Sequence, residues 1–265
     1  MKKEADNVYC VQATASSDPA TMIREGAAAL GVALDPDQAA HLAELARQII
    51  EKNRKVNLTG ARDLDTLIAD HVLDSLALAP LCREAMATSA SARRLLVDIG
   101  SGGGFPALPL AMALEAIDCV CIESVGKKAR ALAGLCATVQ LEYVVVLNDR
   151  AENVAHNAKW REKADFATAR AVGSLATVCE LSLPFLRVGG VLFAQRGLDA
   201  REELNNADTA LALLGGRAAR VVEVDPHRAN RKRTIAVIEK IAPTPARYPR
   251  RAGIPAKRPL GEKRR

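Results

Sequence analysis

The chain has 265 residues, 49% of them hydrophobic and 26% charged, with a formal net charge of +6. These values describe an ordinary globular protein with room for one sizeable α/β domain and its appendages. No apolar run approaches the ~20 residues that cross a bilayer, and the start, Met1-Lys2-Lys3-Glu4, lacks a signal-peptide core, so a cytoplasmic protein without a membrane partner is expected.

Residues 1–19 mix small, polar and charged side chains without period, which predicts disorder. Residues 20–90 are expected to form a helical N-terminal subdomain. Asp35 suits a helix cap, Pro36 the first helical position and Gln38 the third position of a capping box. Leu42, Leu45, Ala46, Ile49 and Ile50 then recur at helical spacing. A second amphipathic stretch covers Leu67 to Leu76. Within it His71 and Asp74 lie three apart on one helix face, a spacing read as a local hydrogen bond or surface pair.

From residue 91 to 241 the texture changes. Short apolar runs at 95–99, 119–123, 144–149 and 165–169 alternate with helical patterns, and 189–194 and 233–238 add two strand candidates. Strands interleaved with helices predict an α/β, Rossmann-like domain, a mostly parallel sheet with helices on both faces. None of the six cysteines forms a Cys-x-x-Cys pair, and Cys119 and Cys121 alternate inside an apolar run, so they read as small core side chains and no metal is expected. Residues 242–265 carry eight basic side chains against Glu262 alone, and five prolines, which predicts an extended basic tail.

The sharpest feature is Val97-Asp98-Ile99-Gly100-Ser101-Gly102-Gly103-Gly104-Phe105-Pro106, a strand that runs into a tight glycine turn. Missing side chains at Gly100, Gly102 and Gly104 let a nucleotide-like ligand approach the backbone. Dinucleotide enzymes favour Gly-x-Gly-x-x-Gly and aim a helix N-terminus at pyrophosphate. Here the spacing is Gly-x-Gly-x-Gly, preceded by Asp98 at the strand end. A carboxylate there disfavours pyrophosphate and suits a cationic ligand such as the methionine part of S-adenosylmethionine.

Glu123 ends the second strand, where a carboxylate accepts hydrogen bonds from both ribose hydroxyls. Asp149-Arg150-Ala151-Glu152 follows the third strand, in place to border an adenine. Arg170 and Arg196 follow the fourth and fifth strands. Ligands of open sheets bind beyond the carboxyl ends of strands, so both arginines should face the site, although either also suits an ion pair with an acidic neighbour. No Ser/His/Asp order, carboxylate pair or Walker lysine accompanies the turn, so nothing supports a hydrolase or a kinase.

At this point the sequence resembles the RsmG (GidB) family of bacterial small-subunit ribosomal RNA guanine-N7 methyltransferases. The resemblance lies in Lys55-Val56-Asn57-Leu58-Thr59, His71-Val72-Leu73-Asp74-Ser75-Leu76 and the block from Asp98 through Leu110. It continues in Ser124-Val125-Gly126-Lys127-Lys128, Arg150-Ala151-Glu152, Ala169-Arg170-Ala171, Arg196-Gly197 and the stretch from Tyr248 to Pro255. The blocks fall in order across residues 36–260. Arg196 stands where relatives usually carry Lys, and Ala107 where many carry Gly.

The resemblance implies an S-adenosylmethionine-dependent methyltransferase fold with a helical N-terminal extension, and cofactor contacts at Gly100, Phe105, Ala151, Glu152 and Arg170. It implies a target guanine in small-subunit ribosomal RNA, met within a ribosomal particle. No heptad or extra apolar helix suggests pairing, so a monomer is expected. N7 already holds a free lone pair, so no general base is expected; Arg170, with Arg196, would position cofactor, O6 or phosphate. RNA phosphates would be held by Arg228, Arg231, Lys232 and Arg233 and by the tail residues Arg247, Arg250, Arg251, Lys257 and Arg258. Removing residues 242–265 is then expected to weaken RNA binding and spare cofactor binding. Two other readings stay open on sequence alone: a nicotinamide-dependent oxidoreductase, and a non-catalytic ribosome-assembly factor.

Overall fold

The computed structural model describes residues 18–87, 93–197, 200–225 and 233–261. Helices lead the chain. Asp18 caps α1 (Pro19–Ala29), and α2 (Pro36–Asn53) opens with the expected capping box: Gln38 N donates to Asp35 Oδ1 at 2.7 Å and Asp35 N to Gln38 Oε1 at 3.1 Å. The periodic residues Leu42, Leu45, Ala46 and Ile49 are all buried. The stretch expected to be helical around 67–76 is a continuous rod of three parts. Asp63 caps α3 (Leu64–Leu67), a π-helical turn covers Ile68–Leu73, and α4 (Asp74–Leu76) completes it. Such wide turns are uncommon and often sit at functional sites. After α5 (Ala79–Ala87) the sheet begins.

The sheet is built from β1 (Arg94–Ile99), β2 (Ile117–Ile122), β3 (Val144–Leu147), β4 (Ala164–Arg170), β5 (Leu186–Arg196), β6 (Gly216–Val224) and β7 (Arg233–Lys240). Between them run α6 (Ala107–Ala113), α7 (Gly126–Thr138), α8 (Ala151–Val154), α9 (Leu175–Ser182) and α10 (Ala200–Leu214), with α11 (Ile254–Lys257) at the end. The strand order is β3-β2-β1-β4-β5-β7-β6. Strands β1 to β5 pair in parallel, and β7 runs antiparallel to both β5 and β6. This is the Rossmann-like methyltransferase fold that the resemblance implies.

Side-chain alternation along the strands builds two cores. Leu96, Cys119 and Cys121 face the N-terminal helices together with Leu108 and Leu132, while Val97, Ile99, Val120 and Ile122 face α9 and α10. Both alternating cysteines are therefore core side chains, and burial pushes their thiols well above the ordinary range. Among the described residues no helix is long and apolar enough to cross a membrane.

The structure departs from the sequence expectations in two places. Strand β6 was not foreseen. It is an edge strand whose residues are mostly exposed, so it carries little of the apolar alternation that marks a half-buried strand. The second departure is the tail. Residues 242–261 hold little regular structure, but they lie on the domain rather than extend from it. Tyr248 and Leu260 are buried in the core that contains α9 and α10. Arg161 donates to the carbonyls of Thr244 at 2.8 Å and Tyr248 at 2.9 Å, and His156 Nε2 donates to Pro249 O at 2.8 Å. Backbone groups without ladder partners are satisfied by these side chains, which a composition of proline and arginine does not reveal.

Candidate functional site

The carboxyl ends of β1 and β4 adjoin where the strand order reverses, and the chain places most of its expected site residues there. Gly100 (φ 71°), Gly102 (φ 53°) and Gly104 (φ 91°) all adopt left-handed backbone. A Cβ on Gly104 would lie 2.5 Å from Leu108 Cδ1, so this turn needs glycine for packing as well as for conformation. Glu123 clamps the turn: Gly102 N donates to Oε2 at 3.0 Å and Val125 N to Oε1 at 2.7 Å. Each oxygen keeps a lone pair for a further donor.

Asp98 is 1% exposed. Thr168 Oγ1 donates to its Oδ1 at 2.8 Å, and Oδ2 has no hydrogen-bond partner. Burial pushes the Asp98 pKa up to about 7, against the pull of the Ser101 and Thr168 hydroxyls and the Arg170 charge. The carboxylate is thus raised by its own isolation from water.

Gly100, Ala151 and Glu152 line a cavity of about 210 Å³ with Ser124, Asp149 and Val172. Gly253 and Ala256 close it, and Gly253 N donates to Glu152 Oε1 at 2.8 Å. The C-terminal segment is therefore a wall of this cavity. That corrects the expectation that removing residues 242–265 would spare a ligand bound here.

A second cavity of about 670 Å³ lies beside Ala171 and Gly173, and its walls include His71, Asp74, Arg170, Gln195, Arg196 and Arg233. Arg170 is its hub. Its Nη1 donates to Asp74 Oδ2 at 3.0 Å and its Nη2 to His71 Nδ1 at 2.5 Å. Because a guanidinium only donates, Nδ1 must accept, and the His71 proton sits on Nε2 and is donated to Thr59 Oγ1 at 2.6 Å. Burial first, and the Arg170 charge second, hold the His71 pKa down at about 4, so the ring is neutral at pH 7. The Phe105 ring packs 5.1 Å from His71 and 5.6 Å from the Arg170 guanidinium carbon.

His71 and Asp74 are the residues that the sequence undervalued. Their spacing looked like a local helix pair, whereas each reaches across to β4. The signal was available in the Thr59–His71–Asp74 blocks of the resemblance, but not in helical spacing alone. Asn53, the last residue of α2, bonds to the backbone of Leu58, Thr59 and Ala61 at 2.7–3.0 Å and so fixes the loop that sets Leu58 O against Gly102 and Gly103.

The expected RNA-binding residues divide. Arg233 lines the second cavity because antiparallel β7 starts at the site end of the sheet, where Thr234 pairs with Arg196. Arg228, Arg231 and Lys232 lie outside the described residues. Arg247, Arg251, Lys257 and Arg258 are exposed. Arg250 is already committed: its Nε lies 2.8 and 3.1 Å from the two carboxylate oxygens of Glu180, which is fully buried, and its Nη2 donates to Arg258 O at 2.7 Å. That pairing makes it a clamp between the C-terminal segment and α9 rather than a free phosphate ligand. Arg196, too, is paired, through Glu203.

Comparison with known proteins places these residues in a family context. The family description "GidB: rRNA small subunit methyltransferase G" matches residues 38–233. The ribosomal RNA small subunit methyltransferase G of Roseiflexus sp. (strain RS-1) is 41% identical, over 90% of this chain and 99% of its own. Its counterpart in Chloroflexus aggregans is 40% identical over 90% and 97%, and that of Dehalococcoides mccartyi (strain CBDB1) 37% over 89% and 97%.

Proposed function

The chain belongs to the rRNA small subunit methyltransferase G family, and on that premise we propose that it transfers a methyl group from S-adenosylmethionine to N7 of a guanine in small-subunit ribosomal RNA. The observation that carries the reading is the pairing of an acid-lined glycine turn with an arginine-centred cavity at one end of the sheet.

The residues present fit the cofactor. Asp98 Oδ2 is a buried acceptor without a partner, suited to a cationic amine. Glu123 has acceptor capacity left for vicinal hydroxyls, and Ala151 and Glu152 offer a wall for the base. Gly100, Gly102 and Gly104 allow the close approach, and Phe105 and Arg170 border the methionine end. Bound there, S-adenosylmethionine supplies an electrophilic methyl group on a sulfonium.

The chain contributes position and field rather than proton transfer. Guanine N7 carries a lone pair at neutral pH, so no base is required. His71, the one imidazole at the cavity, has both ring nitrogens engaged. Arg170 is oriented by Asp74 and His71 and presents fixed positive charge to the reacting groups. Arg233 and the exposed Arg247, Arg251, Lys257 and Arg258 extend basic charge towards RNA phosphates. The protein acts in the cytoplasm, as a monomer, on RNA within a ribosomal particle.

The test is methyl transfer from labelled S-adenosylmethionine to small subunits from cells that lack the enzyme, with mapping of N7-methylguanine. One new N7-methylguanine, lost in Glu123→Ala and Arg170→Ala, is the expected result. Label on another base, or on protein, would refute the reading. Naked RNA and mature subunits serve as parallel substrates and identify the form used.

A further inference from the structure

Five buried side-chain nitrogen or oxygen atoms among the described residues have no hydrogen-bond partner. Three of them, Asp74 Oδ1, Gln195 Oε1 and Arg196 Nε, belong to walls of the same 670 Å³ cavity beside Arg170. Unsatisfied buried polar atoms are rare in folded proteins, and a cluster of them in one cavity points to a ligand with complementary groups.

The orientation of Gln195 is fixed by its neighbours. Its Nε2 donates to Asp74 O at 2.9 Å and to Asp74 Oδ2 at 3.1 Å. Both partners are acceptors, so the amide cannot be turned, and Oε1 remains an acceptor without a donor. Asp74 is 3% exposed and Gln195 7%. Asp74 Oδ2 serves Arg170 and Gln195 together, which leaves Oδ1 without a hydrogen bond. Arg196 engages Glu203 through Nη2 and leaves its Nε–H as a lone donor.

We propose that these three atoms read the Watson–Crick edge of the base to be methylated, and that they select guanine. The inventory is two acceptors and one donor. Guanine offers two donors, N1–H and the 2-amino group, and one acceptor, O6. Adenine, cytosine and uracil each offer a single donor position on that edge, so none of them satisfies all three atoms. Enzymes that act on an extruded base recognise it by hydrogen bonds to this edge. The anionic Asp74 Oδ1 takes the more acidic donor, N1–H, and Gln195 Oε1 takes the 2-amino group. Arg196 Nε donates to O6. Held in this way, the base keeps N7 out of every recognition contact.

The cavity has a movable cover. Arg233, whose side chain is 42% exposed, lies with its Nε 3.8 Å from Asp74 Oδ1. The three reading atoms are shut away from water, so a base enters as the Arg233 guanidinium moves aside, and a phosphate of the same strand gives it a new partner.

This inference rests on the methyltransferase reading, and its test separates the two. Methyl transfer is compared on small subunits that carry guanine, or inosine, at the methylated position; inosine lacks only the 2-amino group. The unmodified enzyme is expected to favour guanine in kcat/KM by at least about fivefold. In Gln195→Met that preference collapses, while the Kd for S-adenosylmethionine stays unchanged. Equal use of the two bases by the unmodified enzyme overturns the inference, whether or not the variant folds. Full retention of the preference in Gln195→Met overturns the role of Gln195. A failure of the unmodified enzyme to methylate guanine subunits sinks the function itself instead.

Discussion

Asp98 ties the affinity for cofactor to pH. Its carboxyl is 1% exposed, burial places its pKa at about 7, and one oxygen has no partner. A cationic amine is held well only by the ionised form, so binding must draw the proton off Asp98. With a free-protein value near 7, about 3% of the protein is ionised at about pH 5.5 and about 75% at about pH 7.5. The Kd for S-adenosylmethionine is therefore expected to fall about 25-fold across that range, within which the cofactor's own amine stays largely cationic. Calorimetry at pH 6 in buffers of different ionisation enthalpy should show close to one proton released per cofactor bound. Asp98→Asn removes the titrating group, weakens binding and abolishes both the slope and the proton release. A flat Kd in the unmodified protein, or the same slope in Asp98→Asn, would refute the assignment of Asp98 to the amine.

Other perturbations follow from the same geometry. Arg250→Ala takes the guanidinium from fully buried Glu180 and leaves it only the residue-250 backbone N–H, so chemical denaturation should show a loss of about 3–5 kcal/mol. Truncation before residue 242 removes Gly253 and Ala256 from the cavity wall and buried Tyr248 from the core, so cofactor binding by calorimetry and thermal stability should fall together. His71 has a folded-state pKa of about 4, below its ordinary 6.5, so the unfolded chain takes up the proton first. Stability should be full above about pH 6.5 and decline as pH falls towards 4, by at most about 3 kcal/mol, and urea unfolding of His71→Asn should show a flatter profile. Arg170→Lys keeps the charge but cannot serve Asp74 and His71 together through a planar fork, so single-turnover methyl transfer should drop well over tenfold with little change in fold by circular dichroism.

The parts of the molecule that announce themselves in sequence are those governed by local rules. A capping box at Asp35 and Gln38, apolar runs at the strands of a parallel sheet and a glycine turn that follows Asp98 each depend on neighbours in the chain. The capping box appears with both reciprocal hydrogen bonds, and all six strand candidates lie in the central sheet with buried cores on both faces. Edge strand β6 escaped because exposure removes the alternation by which a strand is recognised.

What sequence could not supply was which surface a charged residue meets. Arg250 and Arg251 are adjacent and identical in kind, yet one is clamped to a buried glutamate seventy residues away and the other is exposed. Net charge counts both as candidate phosphate ligands; only the tertiary partner distinguishes them. The same holds for His71 and Asp74. Helical spacing relates them to each other, but the Arg170 side chain that gives them a role arrives from β4, about a hundred residues later in the chain. Local patterns therefore locate the cofactor turn, whereas the acceptor side is assembled from α4, β4, β5 and β7 and is legible only once they are brought together. On that view, base selection should depend on residues such as Gln195 that no motif marks, and substitutions there should alter which base is chosen before they alter how tightly the cofactor is held.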